Sequence, residues 1–263
     1  MPGWRQFILV AFITIAPPAS AENLVIAGYG DSLTGNTDIK WCGHVQSPDV
    51  CDWTLAVPGE RTEDGVARLI ADLEANAISP ATTHITLAWG ANDIRRGGFD
   101  WDVSFEQPLR DAVSAILAGG FEPVLVITLD QYQTSPGQSP DECDPYPILQ
   151  ARLDTEFSPR IYEIASDYVP PLIVVDLNKA YDAIPESTKC PGEWGAGYYR
   201  DHVHQMDVGY QFIADSVVAS IQTRPDSSEP QSVPSIVPIS GTLLLSLLTY
   251  TGLRKLDAGR SWP

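Results

Sequence analysis

Chemistry in this chain starts at Ser32, in the run Leu24 to Gly35, LVIAGYGDSLTG. A serine hydroxyl is a weak nucleophile and needs a base to take its proton. Asp201-His202-Val203-His204, in RDHVHQMDVGY, supplies an imidazole and an acid. Asp201 and His204 stand three positions apart, a spacing that on a loop or turn lets the carboxylate meet Nδ1 while Nε2 faces outward. That carboxylate fixes the tautomer and stabilises the imidazolium that forms. His202 adjoins Asp201, but successive side chains diverge, so it is the weaker candidate base. His44 lies nearer Ser32 in sequence, has no acid at a telling spacing, and is assigned to the surface. The chemistry open to Ser32, His204 and Asp201 is acyl transfer.

Gly30-Asp31-Ser32-Leu33 resembles the first block of the GDSL, or SGNH, hydrolase family. Alone it is also ordinary turn chemistry. Three further blocks follow in the family's order. Val57-Pro58-Gly59-Glu60 is similar to the second, Gly90-Ala91-Asn92-Asp93 to the third, and Asp201 to His204 to the last, with Gly209 and Tyr210 behind it. The resemblance implies an oxyanion hole made by the Ser32 and Gly59 backbone N–H groups and the Asn92 side-chain amide. Such donors, aimed at a tetrahedral oxyanion, are worth about 3–4 kcal/mol each. It implies an ester hydrolase working through an acyl-enzyme on Ser32, with no metal or organic cofactor. It also implies a flavodoxin-like αβα sandwich with five parallel strands in the order 2-1-3-4-5. The likeness runs from Asn23 to about Ile221. It leaves out the loops Thr37–Asp52 and Asp130–Pro147, which are assigned to shaping the acyl or alcohol pocket. Trp89 is read as a core residue.

The elements that must position these groups follow from periodicity. Leu24 to Ala27 is a short apolar run, as expected of a strand buried on both faces, and Gly28 and Gly30 permit a sharp exit. Further strands are predicted at Trp53–Val57, His84–Trp89, Pro123–Leu129 and Leu172–Val175. Between them, Thr62–Asn76 places Val66, Leu69, Ile70 and Leu73 on one helical face, with Thr62 as N-cap. Phe105–Gly119, Ile148–Tyr168 (interrupted near Pro159) and Val208–Gln222 are the other helices. Asn36–Asp52, Asp130–Pro147 and Tyr181–Tyr199 are read as loops, the first with room for a short helix. Asp141, Glu142 and Asp144 lack calcium-loop spacing and are read as a solvated acidic cluster. The strand–helix alternation implies a parallel sheet covered on both faces.

The chain has 263 residues, 44% of them hydrophobic, and a net charge of -18. That is enough for one sizeable domain, and the charge argues against nucleic acid as the main partner. Residues 1–21 read as a secretory signal: Arg5, the apolar stretch Phe7–Ala16, and Ala19-Ser20-Ala21 as cleavage site. The mature chain is expected to begin at Glu22, exported to the periplasm, the cell surface or the medium. Four cysteines, Cys42, Cys51, Cys143 and Cys190, then suggest disulfides. Three pairings exist; Cys42–Cys51 is the local one and leaves Cys143–Cys190. The domain is expected over residues 22–222, followed by a Pro/Ser-rich linker at 223–238. Residues 239–263 form an apolar segment ending in a basic tip, which loosely resembles bacterial PEP-CTERM-type sorting signals. This implies contact with a membrane or a sorting machinery. The substrate expected is a small-molecule, glycan or lipid ester, with short acyl or acetyl esters ahead of lysophospholipids and thioesters. A surface-tethered binding module that has lost turnover is the alternative.

Overall fold

In the computed structural model the described residues are 23–35, 40–52, 54–96, 100–128, 147–184 and 207–224. The signal segment, Cys143, Cys190, Asp201, His202, His204, the loop 130–146 and the C-terminal segment lie outside them. The chain divides into residues 1–227 and 228–263, the second unit wholly outside the described residues.

Five strands make one sheet: β1 (Val25–Gly30), β2 (Val50–Asp52), β3 (His84–Ala88), β4 (Glu122–Ile127) and β5 (Ile173–Asp176). Their order is β2-β1-β3-β4-β5, and every neighbouring pair is parallel. The expected strand order is therefore found. β1 is an interior strand, and its residues Ile26 to Gly30 are buried throughout, which suits an apolar, glycine-punctuated run.

The helices among the described residues are α1 (Thr62–Glu74), α2 (Ala91–Arg96), α3 (Gln107–Ala118), α4 (Pro147–Arg152), α5 (Ser158–Ser166), α6 (Leu177–Asp182) and α7 (Asp207–Gln222). One face of the sheet packs Ala27, Tyr29, Ile85 and Leu87 against Val66 and Leu69 of α1, Val113 and Ile116 of α3, and Ile161 of α5. The other packs Leu24, Ile26, Val124 and Val126 against Ile213, Val217 and Ile221 of α7. Each such aliphatic side chain contributes about 1.5–3 kcal/mol on full burial. The result is three layers, α/β/α.

Several boundaries differ from expectation. The second strand is Val50–Asp52, not Trp53–Val57. Asp52 ends it by taking the Thr54 N–H and hydroxyl at 3.0 and 2.7 Å. This side-chain capture turns the chain before the apolar Leu55-Ala56-Val57 can pair. Thr62 is not the N-cap of α1. Arg61 is, and Thr62 opens the helix while Asp93 of α2 accepts its N–H and hydroxyl at 3.1 and 3.0 Å. A carboxylate from another element thus satisfies the positive end of α1. The helix at 148–168 is interrupted near Pro159 as expected, by a π-helical stretch, Leu153–Phe157. A similar stretch, Trp101–Glu106, leads into α3. Leu177–Asp182 is a helix that runs two residues into the stretch read as loop from Tyr181, because Asp176 accepts the Lys179 N–H at 2.8 Å and caps it. Trp41–His44 is a 3₁₀-helix inside the first loop, tied to β2 by the Cys42–Cys51 disulfide.

Candidate active site

The site gathers where β1, β2 and β3 end. After Gly30 the Asp31 carbonyl accepts the Thr34 and Gly35 N–H groups at 3.1 and 3.2 Å. The Asp31 carboxylate accepts the Leu33 N–H at 2.9 Å. These bonds fold a tight turn with half-buried Ser32 inside it. Gly30 has no room for a side chain: a Cβ there would lie 2.3 Å from Thr34 Oγ1 and 2.9 Å from the Ala88 carbonyl oxygen. A glycine at the strand end is what lets the turn fold back on β3.

The second block docks on this turn through the Val57 N–H, which donates to the Gly30 carbonyl at 3.0 Å. Val57-Pro58-Gly59-Glu60 closes with a Glu60 N–H to Val57 carbonyl bond of 3.2 Å. Gly59 has φ 78°. Proline second and a left-handed glycine third is the signature of a type II turn. The turn's own bond uses the Glu60 N–H and leaves that of Gly59 outside the ring. Glu60 is then clamped. Its carboxylate accepts from Arg68 Nε and Nη2 at 2.9 and 2.6 Å and from Trp89 Nε1 at 2.9 Å. Trp89 is buried, as the core reading held.

The third block starts α2. Gly90, at φ 116°, makes the bend, and Phe157 fills the space a side chain would need, 2.1 Å from the Cβ position. Asn92 follows on the first turn. Its Nδ2 donates to the Asp31 carboxylate at 3.0 Å and to the Glu60 carbonyl at 3.2 Å. One amide therefore joins all three blocks, and both of its N–H groups are directed at protein acceptors.

The electrostatics are unusual for carboxyl groups. Burial, with smaller help from Asp93 and Glu60, pushes Asp31 up to about 7 against the lowering pull of the Leu33 N–H and the Asn92 amide. Asp93 is raised for the same first reason, against the pull of the Thr62 donors.

Of the residues expected at the site, Asn92 is joined to the blocks that carry Ser32 and Gly59 through the neighbouring Asp31 and Glu60. Asp201 and His204 lie outside the described residues. The helix behind them, α7, is anchored early. Buried Tyr210 accepts a hydrogen bond from buried Lys40 Nζ at 3.1 Å, and the ammonium stands 5.1 Å from the ring centroid. His44 stacks on the same ring at 6.1 Å and is half-buried, more enclosed than a surface role implies. The sequence reading missed Asp31, Glu60 and Lys40. A charged residue beside the nucleophile, and one beside the turn glycine, were the available signals. For Lys40 there was none.

Beside the serine turn, on the α7 side of the sheet, a small, largely apolar recess is lined among others by Leu33, Thr34, Trp41, Val126, Thr128 and Ile213. The Thr34 and Thr128 hydroxyl oxygens are buried there without a hydrogen-bond partner.

Similar solved structures share this fold. An acetyl xylan esterase, AlAXEase, superposes with TM-score 0.54 at 18% identity, over 75% of this chain and 100% of its own. A lipase/acylhydrolase from Enterococcus faecalis gives TM-score 0.54 at 19% identity, covering 76% and 95%. A catalytic mutant of Axe2, an acetylxylan esterase from Geobacillus stearothermophilus, gives 0.52 at 16%, covering 75% and 93%. The chain has the fold of these proteins. No family model and no curated protein matches it by sequence.

Proposed function

We propose that the chain is an SGNH/GDSL-type serine ester hydrolase. The observation that carries this reading is the Asn92 amide bound to both Asp31, beside Ser32, and Glu60, beside Gly59. It draws the nucleophile and both other candidate oxyanion donors to one end of the sheet, where open α/β folds bind ligands. The shared fold with esterases and an acylhydrolase supports the same class of reaction. In the proposed mechanism His204, oriented by Asp201, takes the Ser32 proton as Ser32 Oγ attacks an ester carbonyl. The Ser32 and Gly59 N–H groups and the Asn92 amide stabilise the oxyanion. His204 protonates the departing alcohol, and a water then releases the acid from Ser32. The scheme needs no metal or organic cofactor.

The recess beside the serine turn supports a short acyl or acetyl group as the acyl part, and two of the similar structures are of acetyl xylan esterases, one of them a catalytic mutant. We further propose an exported protein, tethered or sorted through residues 239–263. Ser32→Ala and His204→Ala are each expected to lower kcat by at least about 10⁴-fold while the melting temperature stays near wild type. A fluorophosphonate probe is expected to label wild type and not Ser32→Ala. Near-normal hydrolysis by pure Ser32→Ala protein overturns the assignment. A wild-type domain that stays unlabelled favours a binding module on the same fold.

A further inference from the structure

The Asn92 amide has two N–H groups, and Asp31 and Glu60 take both. An oxyanion can gain Asn92 as a donor only if one of these bonds gives way. The two are not equal. Glu60 offers a neutral backbone carbonyl at 3.2 Å, whereas Asp31 offers a carboxylate at 3.0 Å, and bonds to a charged acceptor are about twice as strong. A negative oxyanion therefore outcompetes the carbonyl more readily than the carboxylate.

Asp31 itself is held from both sides. One oxygen accepts the Leu33 N–H at 2.9 Å inside the serine turn, and the other accepts Asn92. An ionised carboxylate only accepts hydrogen bonds, so it holds the nitrogen end of the Asn92 amide on Asp31, the residue before Ser32. A neutral carboxyl group can donate instead, and then the amide oxygen is equally welcome there.

We infer that Asp31 is a positioning residue for the reaction: it acts through Asn92, fixing the amide so that the N–H now on the Glu60 carbonyl is the one that turns to the oxyanion. This rests on the hydrolase reading above. The groups that face Asp31 are Asp93 of α2 and Glu60 of the second block, with Arg61 near Asp93 and Arg68 on Glu60. The two carboxylates and burial favour the neutral form of Asp31, so ionisation falls near neutral pH.

Asp31→Asn tests the inference because it keeps the shape and the acceptor for the Leu33 N–H. It sets an amide NH₂ against that of Asn92, so Asn92 must flip. With sites counted by fluorophosphonate titration, kcat per labelled site is expected to fall about 10- to 100-fold with KM within about twofold. The acid limb of the kcat–pH profile is expected to lose one ionisation, its logarithmic slope falling from about two toward one. A merely structural role lowers the melting temperature and the labelled fraction but not kcat per site, and that result overturns the inference, as does an unchanged pH profile. Side-chain amide NMR of Ser32→Ala protein gives a readout without turnover. The Asn92 pair is expected to titrate near neutral pH, and not in Ser32→Ala/Asp31→Asn protein. Invariant Asn92 signals overturn the positioning role even if wild type is an active esterase. A wild type that neither hydrolyses esters nor takes the label overturns the hydrolase reading and this role with it.

Discussion

At Asp31 the chain buries a carboxylate beside a serine, at a desolvation cost that the Leu33 N–H and the Asn92 amide offset in part. His84 is the opposite case. It is buried on β3, and burial holds its ring well below the ordinary value, at about 4, with Arg224 adding to the effect. Below pH 6.5 the unfolded chain takes a proton on this histidine that the folded chain refuses until about pH 4. Stability from His84 is therefore complete above pH 6.5 and is lost as pH falls toward 4. Asp31 contributes with the other sign, since its raised value favours the folded state at acid pH, a share lost as pH rises through about 7. Comparing urea midpoints of wild type and His84→Gln between pH 7.5 and 4.5 isolates the histidine. The wild-type curve is expected to fall more steeply on acidification. Parallel curves would show that His84 does not set this dependence.

Elements hold the site through close packing at a few glycines. Gly65 on α1 lies against Trp89 at the end of β3, and a Cβ there would sit 2.2 Å from the indole ring. That ring donates to Glu60, whose carbonyl holds Asn92. Gly65→Ala improves helix propensity, by about 1 kcal/mol, but overpacks the ring, at about 1–3 kcal/mol. Net destabilisation is expected, with altered Trp fluorescence and reduced turnover. Thermal melting and emission spectra check it; a melting temperature above wild type would mean that the indole gives way freely. The 3₁₀-helix after the serine turn is fixed differently, by a disulfide to β2 and by Lys40 reaching Tyr210 on α7. The element that follows His204 is thus tied to the loop that follows Ser32.

The recess beside the serine turn belongs to the whole molecule, since its walls come from that turn, the 3₁₀-helix, the end of β3, β4 and its end, α6 and α7. If it takes the acyl group, its volume sets chain length. Ile213→Val removes one methylene from the wall at a stability cost of about 0.5–1.5 kcal/mol. The ratio of kcat/KM for p-nitrophenyl butyrate over acetate is expected to rise by about threefold or more. An unchanged ratio in an active variant would place the acyl group elsewhere.

The sequence by itself determined what neighbours along the chain decide. Apolar runs marked four of the five strands, all but the edge strand β2. The Pro58-Gly59 pair carried its turn, because a fixed proline φ and a left-handed glycine are local steric facts. Ser32, Gly59 and Asn92 were legible as types in order. Only the tertiary structure decided how they join. Asn92 reaches Asp31 across 61 positions and Glu60 across 32, and Asp93 caps a helix 31 positions away. Such bonds depend on strand register and helix packing, set by burial over the whole sheet. The same collective burial placed Lys40 inside, against the local preference of its segment.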